Sequence, residues 1–254
     1  MNTSPSREIT IISITKNDRD GIRRTVESVQ EQKFDRWRLV IVVSSEQDSS
    51  LEYVQRLSEE FENIHYLIPQ SLGIYSAMNY AMEKFTPELT WFLNGGDVFK
   101  STSTLSNAYS LMEIHKPSIL IGGYEINDKD VPRQYARPPR EIKARTFSLN
   151  VRSGNHQAML FDFSGFETMR YSLELSLASD FLLVLKMLKK KSGFRTSEVF
   201  AKIDPNGVSS LMIEDVWAEK QYARRRVFGR CSSDSFLGLL WTLAAKVKRR
   251  VKRY

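Results

Sequence analysis

Asp97 is the first residue whose surroundings suggest chemistry. It follows the apolar segment 89–93, in a turn that also contains Asn94, Gly95 and Gly96. Two adjacent glycines let a backbone approach a ligand closely, and a carboxylate there could bind Mg²⁺ or Mn²⁺, which neutralise phosphate oxygens. In the alternative interpretation Asp97 only hydrogen-bonds the backbone of its own turn. Spacing alone favours this second interpretation.

Two further candidates lie later in the chain, His156 and Asp180. His156 is followed by Gln157 and opens a predicted strand, where an imidazole could bind a metal, a phosphate or a second substrate. Asp180 begins an apolar helix, where it could act as a general base that takes a proton from a hydroxyl group. Each also has a structural interpretation, a histidine at a strand edge and a first-turn acid favoured by the helix dipole. Position alone favours the structural interpretations.

The segments around these residues alternate between strands and helices. The apolar pattern predicts strands at residues 8–15, 37–44, 64–68, 89–93, 118–126, 157–163 and 198–203, and helices at residues 51–61, 74–85, 104–115, 141–150, 177–190 and 213–227. A further helix, which Asp20 could cap, carries Ile22, Val26 and Val29. Residues 127–140, rich in charges and prolines, are expected to be irregular.

This order predicts an α/β fold with an open, mostly parallel sheet and helices on both faces. Ligands of such sheets bind at the carboxyl ends of the strands. The loops at residues 16–21, 44–50, 69–73 and 94–97 are therefore where we expect the site.

Composition narrows the class of protein. The chain has 254 residues, enough for one large domain with additions, and 26% of them are charged. Its single cysteine, Cys231, excludes an internal disulfide and a cysteine metal cluster, which fits a reducing compartment. The first residues lack the apolar stretch of a secretory signal, and no segment approaches the roughly 18 apolar residues of a membrane span. We therefore expect a cytoplasmic protein.

The positive charge is concentrated at the carboxyl end. Of the net charge of +7, residues 215–254 carry eleven Lys and Arg against three acids, which leaves residues 1–214 close to neutral. A domain that bound nucleic acid would carry its own basic face, so we expect no nucleic-acid partner. A nucleic-acid protein that uses only the tail is the rival interpretation.

The tail itself, residues 236–254, has about ten mostly apolar residues and then six basic residues among its last nine. This pattern suits a helix that lies on an anionic membrane surface, with Trp241 at the headgroup boundary. A packed terminal helix with a solvated basic end is the alternative. We accordingly divide the chain into a domain at residues 1–212 and a helical, basic, membrane-associating extension at residues 213–254. The protein would be peripheral on the inner face of the cytoplasmic membrane.

Four segments together resemble family 2 glycosyltransferases of the GT-A fold, and within them the bacterial group of colanic-acid and other surface-polysaccharide enzymes. They are ITIISITKNDRDGIRRTVESVQEQ, GIYSAMNYAME, FLNGGD, and HQAMLF with the later ASDFLLVLKM. Each is weak alone, but their shared order and spacing are specific, and the resemblance covers about residues 8–210. Residues 8–100 would be the donor half of the domain and residues 101–212 the acceptor half.

The resemblance implies a role for each candidate. Asp97 would bind the metal, Mn²⁺ or Mg²⁺, and Asp180 would be the catalytic base of an inverting transfer from a nucleotide-sugar donor to a saccharide hydroxyl. His156 and Gln157 would lie near the acceptor or the diphosphate. The implied donor residues are Thr15, Asn17, Ser44, Asn79, Asn94, Gly95 and Gly96. A lipid-linked saccharide acceptor would explain the basic tail.

The chain also departs from the family pattern on the donor side. Ser44, Ser71, Ser76 and Gly96 stand where many relatives have carboxylates. The donor could be held by hydroxyls and backbone amides, the metal could be only weakly required, or the chain could have lost activity. The alternative function is therefore a degenerate sugar-nucleotide-binding or scaffold protein of a polysaccharide assembly complex.

Overall fold

The computed structural model describes residues 7–71, 73–128, 131–149, 154–205 and 213–229. The strands are β1 Ile9–Thr15, β2 Trp37–Val43, β3 Ile64–Leu67, β4 Leu89–Phe92, β5 Val98–Phe99, β6 Ile119–Asp128, β7 Val131–Tyr135, β8 Arg140–Ile142, β9 Met159–Asp162 and β10 Gly193–Ile203. The helices are α1 Arg19–Gln30, α2 Leu51–Glu60, α3 Ile74–Phe85, α4 Thr104–His115, α5 Ala144–Ser148, α6 Ser179–Lys190 and α7 Ile213–Phe228, with a 3₁₀ turn at His156–Ala158.

One mixed sheet forms the centre of the molecule. Its strand order is β3-β2-β1-β4-β9-β6-β10-β5, with β7 paired to β6 and β8 paired to β10. Strands β3, β2, β1, β4, β6 and β10 point the same way, and β9 runs against its two neighbours. The predicted α/β fold with a mostly parallel sheet is confirmed.

Apolar residues on both faces of the sheet explain why helices cover both faces. Side chains alternate between faces along a strand, so Ile11 belongs to the apolar cluster that contains residues of α1, α2 and α4, whereas Ile12 belongs to the cluster that contains residues of α3, α5 and α6. Strands buried on both faces appear in the sequence as continuous apolar runs, which is why β1 and β2 could be predicted.

Several local predictions were wrong. Asp18, not Asp20, caps α1, because its side chain accepts a hydrogen bond from the backbone N–H of Gly21. Residues 131–135 form a strand, not an irregular segment, because β6 supplies hydrogen-bonding partners to their backbone whatever their side chains are. The helix predicted at residues 141–150 is divided between β8 and the short α5.

Helix α7, which the sequence suggested as the start of the extension, packs on the domain. Its Ala223 is fully buried and Val227 nearly so, both against the core beneath α6. Across the described residues, no helix is long and apolar enough to cross a membrane. The basic tail at residues 236–254 lies outside the described residues, and the membrane-surface interpretation of it stays a prediction.

Candidate active site

The carboxyl ends of several strands meet at one edge of the sheet. Thr15 at the end of β1 is in register with Val43 at the end of β2. The N–H of Gly95, just after β4, donates to the carbonyl of Ile14 at 2.9 Å. The N–H of Asp204, just after β10, donates to Asp97 Oδ1 at 2.9 Å. The edge predicted to carry the site therefore brings four strand ends together.

Thr25 on α1 holds the turn that presents Asp97. Its buried hydroxyl donates to the carbonyl of Asp97 at 2.7 Å and accepts from the N–H of Gly96 at 3.0 Å. Gly96 has φ +94°, a conformation that favours glycine. At Gly95 a Cβ would lie 3.1 Å from the carbonyl oxygen of Ile14. Gly96 is thus favoured by its backbone conformation and Gly95 by the nearby Ile14 carbonyl, and Thr25 on α1 holds the turn through its hydroxyl.

We expect Thr25→Val to loosen this turn. The change keeps the shape of the side chain but leaves the N–H of Gly96 without its acceptor, which costs about 1–3 kcal/mol of unfolding free energy. Urea denaturation measures that loss. Thr102→Val, at an exposed position, is the control and should be neutral. Equal stability of the two variants would show that the hydroxyl does not hold the turn.

Asp97 is a deeply buried carboxylate. Only 3% of the residue is exposed. Burial raises the pKa of Asp97 to about 7, against the opposing effects of the Asp204 N–H and of His156. A nearby cation would favour the charged form of such a group.

The surroundings of Asp97 fit a metal ion that arrives with a ligand. A Cβ at Gly96 would lie 3.3 Å from Asp204 Oδ2 and 3.8 Å from Asp18 Oδ2, so two more carboxylates border the turn. The buried oxygens Asn94 Oδ1 and Gln157 Oε1 have no hydrogen-bond partner in the part of the chain that the structure describes. Within the described residues no three acid, histidine or cysteine side chains form a preassembled metal site. Mg²⁺ is usually held by one or two carboxylates plus substrate phosphates, which matches this arrangement.

Asp48 links the loops after β1 and β2. Its carboxylate accepts from the Ser44 hydroxyl at 2.7 Å and from the N–H groups of Asn17 and Ser50 at 2.9 Å each. Burial acts to raise the pKa of Asp48, but these hydrogen bonds outweigh it and lower the pKa. The predicted residues Thr15, Asn17 and Ser44 therefore lie on adjoining segments at this edge, and the carboxylate that joins the two loops is Asp48.

Three other donor-side residues make contacts within the protein. Ser71 and Ser76, which occupy positions of acids in many relatives, hydrogen-bond each other at 2.5 Å between their hydroxyl oxygens. The side-chain amide of Asn79 exchanges two hydrogen bonds with the backbone of Tyr171, each 2.9 Å long. These contacts show Asn79 as a link between α3 and the segment before α6, and its role toward a donor stays a prediction.

His156 and Asp180 are in direct contact, with His156 Nδ1 3.1 Å from Asp180 Oδ2. Burial acts to raise the pKa of Asp180, but the hydrogen bond and charge of His156 and the charge of Lys220 outweigh it and lower the pKa. An ionised carboxylate only accepts hydrogen bonds, so Nδ1 carries the proton. The opposite ring nitrogen, Nε2, is buried and has no hydrogen-bond partner among the described residues.

Tyrosines close the other side of Asp180. The Tyr75 hydroxyl donates to Asp180 Oδ1 at 3.3 Å, and the Tyr75 ring stacks on Tyr171 with 5.1 Å between centroids. Burial raises the pKa of Tyr75 far above its ordinary value, so the phenol stays neutral. Asp180 therefore has one oxygen on a histidine and one on a tyrosine, and 26% of its side-chain surface is exposed.

Glu219 on α7 fixes the loop that leads to Asp180. Its carboxylate accepts from the backbone N–H groups of Ser176, Leu177 and Ala178 and from the Ser176 hydroxyl, at 2.8–3.0 Å. Burial acts to raise the pKa of Glu219, but these donors outweigh it and lower the pKa below the ordinary 4.5. Helix α7 thus positions the first turn of α6, where Asp180 lies.

Glu219→Gln should therefore weaken the fold in a pH-dependent way. Loss of the charge removes about 1–2 kcal/mol of unfolding free energy near pH 7. A carboxylate whose folded pKa is lowered contributes stability above its unfolded pKa and loses it as pH falls through the folded value. The difference between the wild type and Glu219→Gln should shrink toward pH 3, as thermal unfolding across pH will show. The control is Glu59→Gln, at an exposed position on α2. A stability difference between the wild type and Glu219→Gln that stays constant across pH would contradict the role assigned to the Glu219 carboxylate.

The structure thus brings together most of the predicted residues. Asp97, His156, Gln157 and Asp180 lie near one another, because His156 and Gln157 are close enough to lower the pKa of Asp97 and His156 contacts Asp180. Sequence reasoning missed several residues that organise this edge, namely Thr25, Asp48, Tyr75, Asp204, Glu219 and Lys220. Of these, only Asp48 and Asp204 carried a signal, as acids just after predicted strands.

Comparison with known proteins gives a consistent family. The model of the family described as Glycosyl transferase family 2 matches residues 10–172. The uncharacterized glycosyltransferase Rv1514c of Mycobacterium tuberculosis is 25% identical over 213 residues, 83% of this chain and 79% of that protein. The putative teichuronic acid biosynthesis glycosyltransferase TuaG of Bacillus subtilis is 27% identical over 106 residues, 41% of this chain and 42% of that protein.

Solved structures share the fold. S. aureus TarS, residues 1–349 in complex with UDP, superposes with a TM-score of 0.70 and 16% identity, covering 91% of this chain and 69% of that one. The mannosyltransferase PcManGT from Pyrobaculum calidifontis, in complex with GDP-Man and Mn²⁺, gives a TM-score of 0.59 and 14% identity, covering 95% and 81%. At these identities the likeness concerns the GT-A fold alone.

Proposed function

The chain is a member of glycosyl transferase family 2, and we propose that it transfers a sugar from a nucleotide-diphosphate-sugar to a saccharide hydroxyl with inversion at the anomeric carbon. The observation that carries this proposal is the contact between His156 and Asp180 beside the buried Asp97. Such a site has an ionised base on one side and a carboxylate suited to a diphosphate-bound cation on the other.

The donor half supplies the nucleotide pocket. We assign Thr15, Asn17 and Ser44 to the nucleoside, because Asp48 joins their loops. We assign the backbone of residues 94–96 to the diphosphate, since this turn follows β4 at the carboxyl edge of the sheet, where ligands of such sheets bind. Two fold neighbours support this choice of donor class, TarS in complex with UDP-GlcNAc and PcManGT in complex with GDP-Man.

The acceptor half supplies the base. Asp180 takes the proton from the acceptor hydroxyl as that oxygen attacks the anomeric carbon in line with the departing diphosphate. His156 and Tyr75 hold the two carboxylate oxygens, and Nε2 of His156, which has no partner among the described residues, can accept a hydrogen bond from a substrate hydroxyl. These contacts favour an active enzyme over a degenerate scaffold, since a scaffold has no need to hold a base in its ionised form.

A divalent cation belongs beside Asp97 in this proposal. Asp97 would hold Mn²⁺ or Mg²⁺, with Asp204 and the amide oxygens of Asn94 and Gln157 nearby, and the ion would offset the negative charge of the leaving diphosphate. Because Ser76 and Gly96 replace carboxylates of many relatives, Asp97 is expected to bear most of the metal binding alone.

The acceptor is proposed to be a lipid-linked saccharide in the synthesis of a bacterial surface polysaccharide. The relative named for teichuronic acid biosynthesis supports this class of product. A protein working on such a lipid would remain on the inner face of the cytoplasmic membrane, where the basic tail at residues 236–254 would bind anionic lipid.

A panel of nucleotide sugars tests the proposal. Thermal unfolding is followed with UDP-, GDP- and dTDP-sugars, each with and without Mn²⁺. A ligand at about 100 times its Kd stabilises the fold by about 2.7 kcal/mol, so the correct donor should raise Tm by several degrees and Mn²⁺ should add a modest further rise. If no nucleotide sugar raises Tm in the wild type, the donor pocket is wrongly assigned.

A further inference from the structure

A second cleft, of about 240 Å³, lies on the acceptor half between the β6–β7 hairpin and β10. Its lining includes Tyr124, Tyr135, Arg137, Gly154 and Arg195. Gly154 precedes His156 by only two residues, so the cleft adjoins the segment that carries the active-site histidine. No function proposed above uses this cleft.

Arginines are crowded around the cleft. Arg195 is buried, with 9% of its surface exposed, and it stands directly opposite Arg140 in the antiparallel pairing of β10 with β8. Like charges directly opposite each other destabilise a sheet. Burial lowers the pKa of Arg195, and the charges of Arg140 and Arg137 lower it further. The fold therefore accepts a costly concentration of positive charge here.

The positive charge is not balanced by carboxylates in the described part of the chain. Arg195 donates from Nε to the carbonyl of Pro138 at 3.1 Å, and its two Nη groups make no hydrogen bond there. Arg137 and Arg140 likewise form no ion pair with a described residue. Buried guanidinium groups are normally paired, so the free Nη donors at the cleft are positioned to bind an anion, for which the planar fork of Arg is well suited.

An aromatic surface completes the cleft. Tyr124 and Tyr135 stack with 4.9 Å between ring centroids, and both line the same space as Arg195. Tyrosine rings present a flat apolar face beside a polar tip, which is the surface that a sugar ring can pack against. The volume is slightly below the roughly 300–1,000 Å³ of pockets for drug-sized ligands, as expected for a single sugar ring.

We propose that this cleft binds an anionic sugar residue of the acceptor, with its carboxylate or phosphate group on Arg195 and Arg137 and its ring against the two tyrosines. The proposal deepens the proposed function and rests on it, because a ligand can be part of the acceptor only if the chain is a glycosyltransferase. The binding of an anionic sugar can nevertheless be measured without any transfer reaction. An acceptor that carries a negative charge on a neighbouring sugar residue would bind more tightly through this cleft. The same contact would fix the position of its attacking hydroxyl.

The test is a set of Kd values measured by NMR titration of the full chain at constant ionic strength. The probes are glucuronate, glucose 6-phosphate and neutral glucose. The wild type should bind at least one anionic probe at least tenfold more tightly than glucose. Arg195→Gln should weaken that binding about tenfold or more, since a hydrogen bond to a charged group is worth about 1.5–3 kcal/mol. Arg137→Gln should weaken it several-fold.

Controls separate this proposal from its alternatives. Arg137 is exposed, so Arg137→Gln is informative even if Arg195→Gln fails to fold. Arg56→Gln, at an exposed position on α2, should leave every Kd unchanged. Preference for glucuronate identifies a carboxylate acceptor, and preference for glucose 6-phosphate identifies a phosphorylated one. Anion binding that is unaffected by both cleft variants, or binding no tighter than glucose, overturns the proposal. Failure of the proposed function would be seen in a different measurement, the thermal-unfolding panel, in which no nucleotide sugar would raise Tm.

Discussion

Asp180→Asn is expected to lower kcat by about 10²–10⁴-fold, the usual contribution of a general base, while the Kd of the donor changes less than twofold. Asparagine keeps the shape of the side chain: its oxygen can still accept a hydrogen bond from His156, and its NH2 group can donate to the Tyr75 hydroxyl. It cannot take a proton from the acceptor hydroxyl, so chemistry fails although the site remains assembled.

Two measurements made on the same preparations separate these effects. Release of nucleoside diphosphate with a saccharide acceptor gives kcat, and calorimetric titration gives the Kd of the donor. Asp35→Asn, at an exposed position outside the site, is the matched control and should behave as the wild type. Transfer by Asp180→Asn at the wild-type rate would show that another group is the base.

Asp97→Asn is expected to have the second largest effect, a loss of about 10²–10³-fold in kcat/KM. It should also remove the contribution of Mn²⁺ to donor affinity. The asparagine oxygen can still accept from the N–H of Asp204, and a buried charge disappears, so Tm should not fall. Reduced activity without reduced stability would distinguish a ligand-binding carboxylate from a structural one.

Metal titration provides the decisive comparison for Asp97. Donor Kd is measured for the wild type and for Asp97→Asn across a series of Mn²⁺ concentrations. The wild type should tighten with Mn²⁺ and the variant should not respond. An equal response of both proteins would mean that the ion binds elsewhere, for example at Asp204.

Much of the fold could be predicted because its signals are local. The bounds of α3 and α4 were predicted residue for residue, since each helix repeats its apolar side chains at helical spacing and ends in a loop. Strand β7 could not be predicted, because backbone pairing with β6 determines it and its side chains carry no alternating pattern. The cap of α1 was misassigned by two residues because Asp18 and Asp20 are chemically equivalent in the sequence.

The candidate site was predicted as residue types more than as an arrangement. Asp97, His156 and Asp180 were identified from motifs, but the contact between His156 and Asp180 spans 24 residues and depends on how α6 packs. Glu219 hydrogen-bonds the loop before Asp180 although the two are more than 40 residues apart in the sequence, and no local pattern predicts such a contact. In the sequence Thr25 is an ordinary residue of an amphipathic helix, and its contacts with the turn at residues 94–97 are seen only in the fold.

The anomeric configuration of the product tests the central claim most directly, that the acceptor hydroxyl displaces the nucleoside diphosphate in a single in-line step. Proton NMR of the glycoside formed from an α-linked nucleotide sugar measures that configuration. One displacement assisted by a general base inverts the centre, so the account predicts a β-linked product. An α-linked product would contradict it, because retention requires a covalent intermediate or attack from the same face.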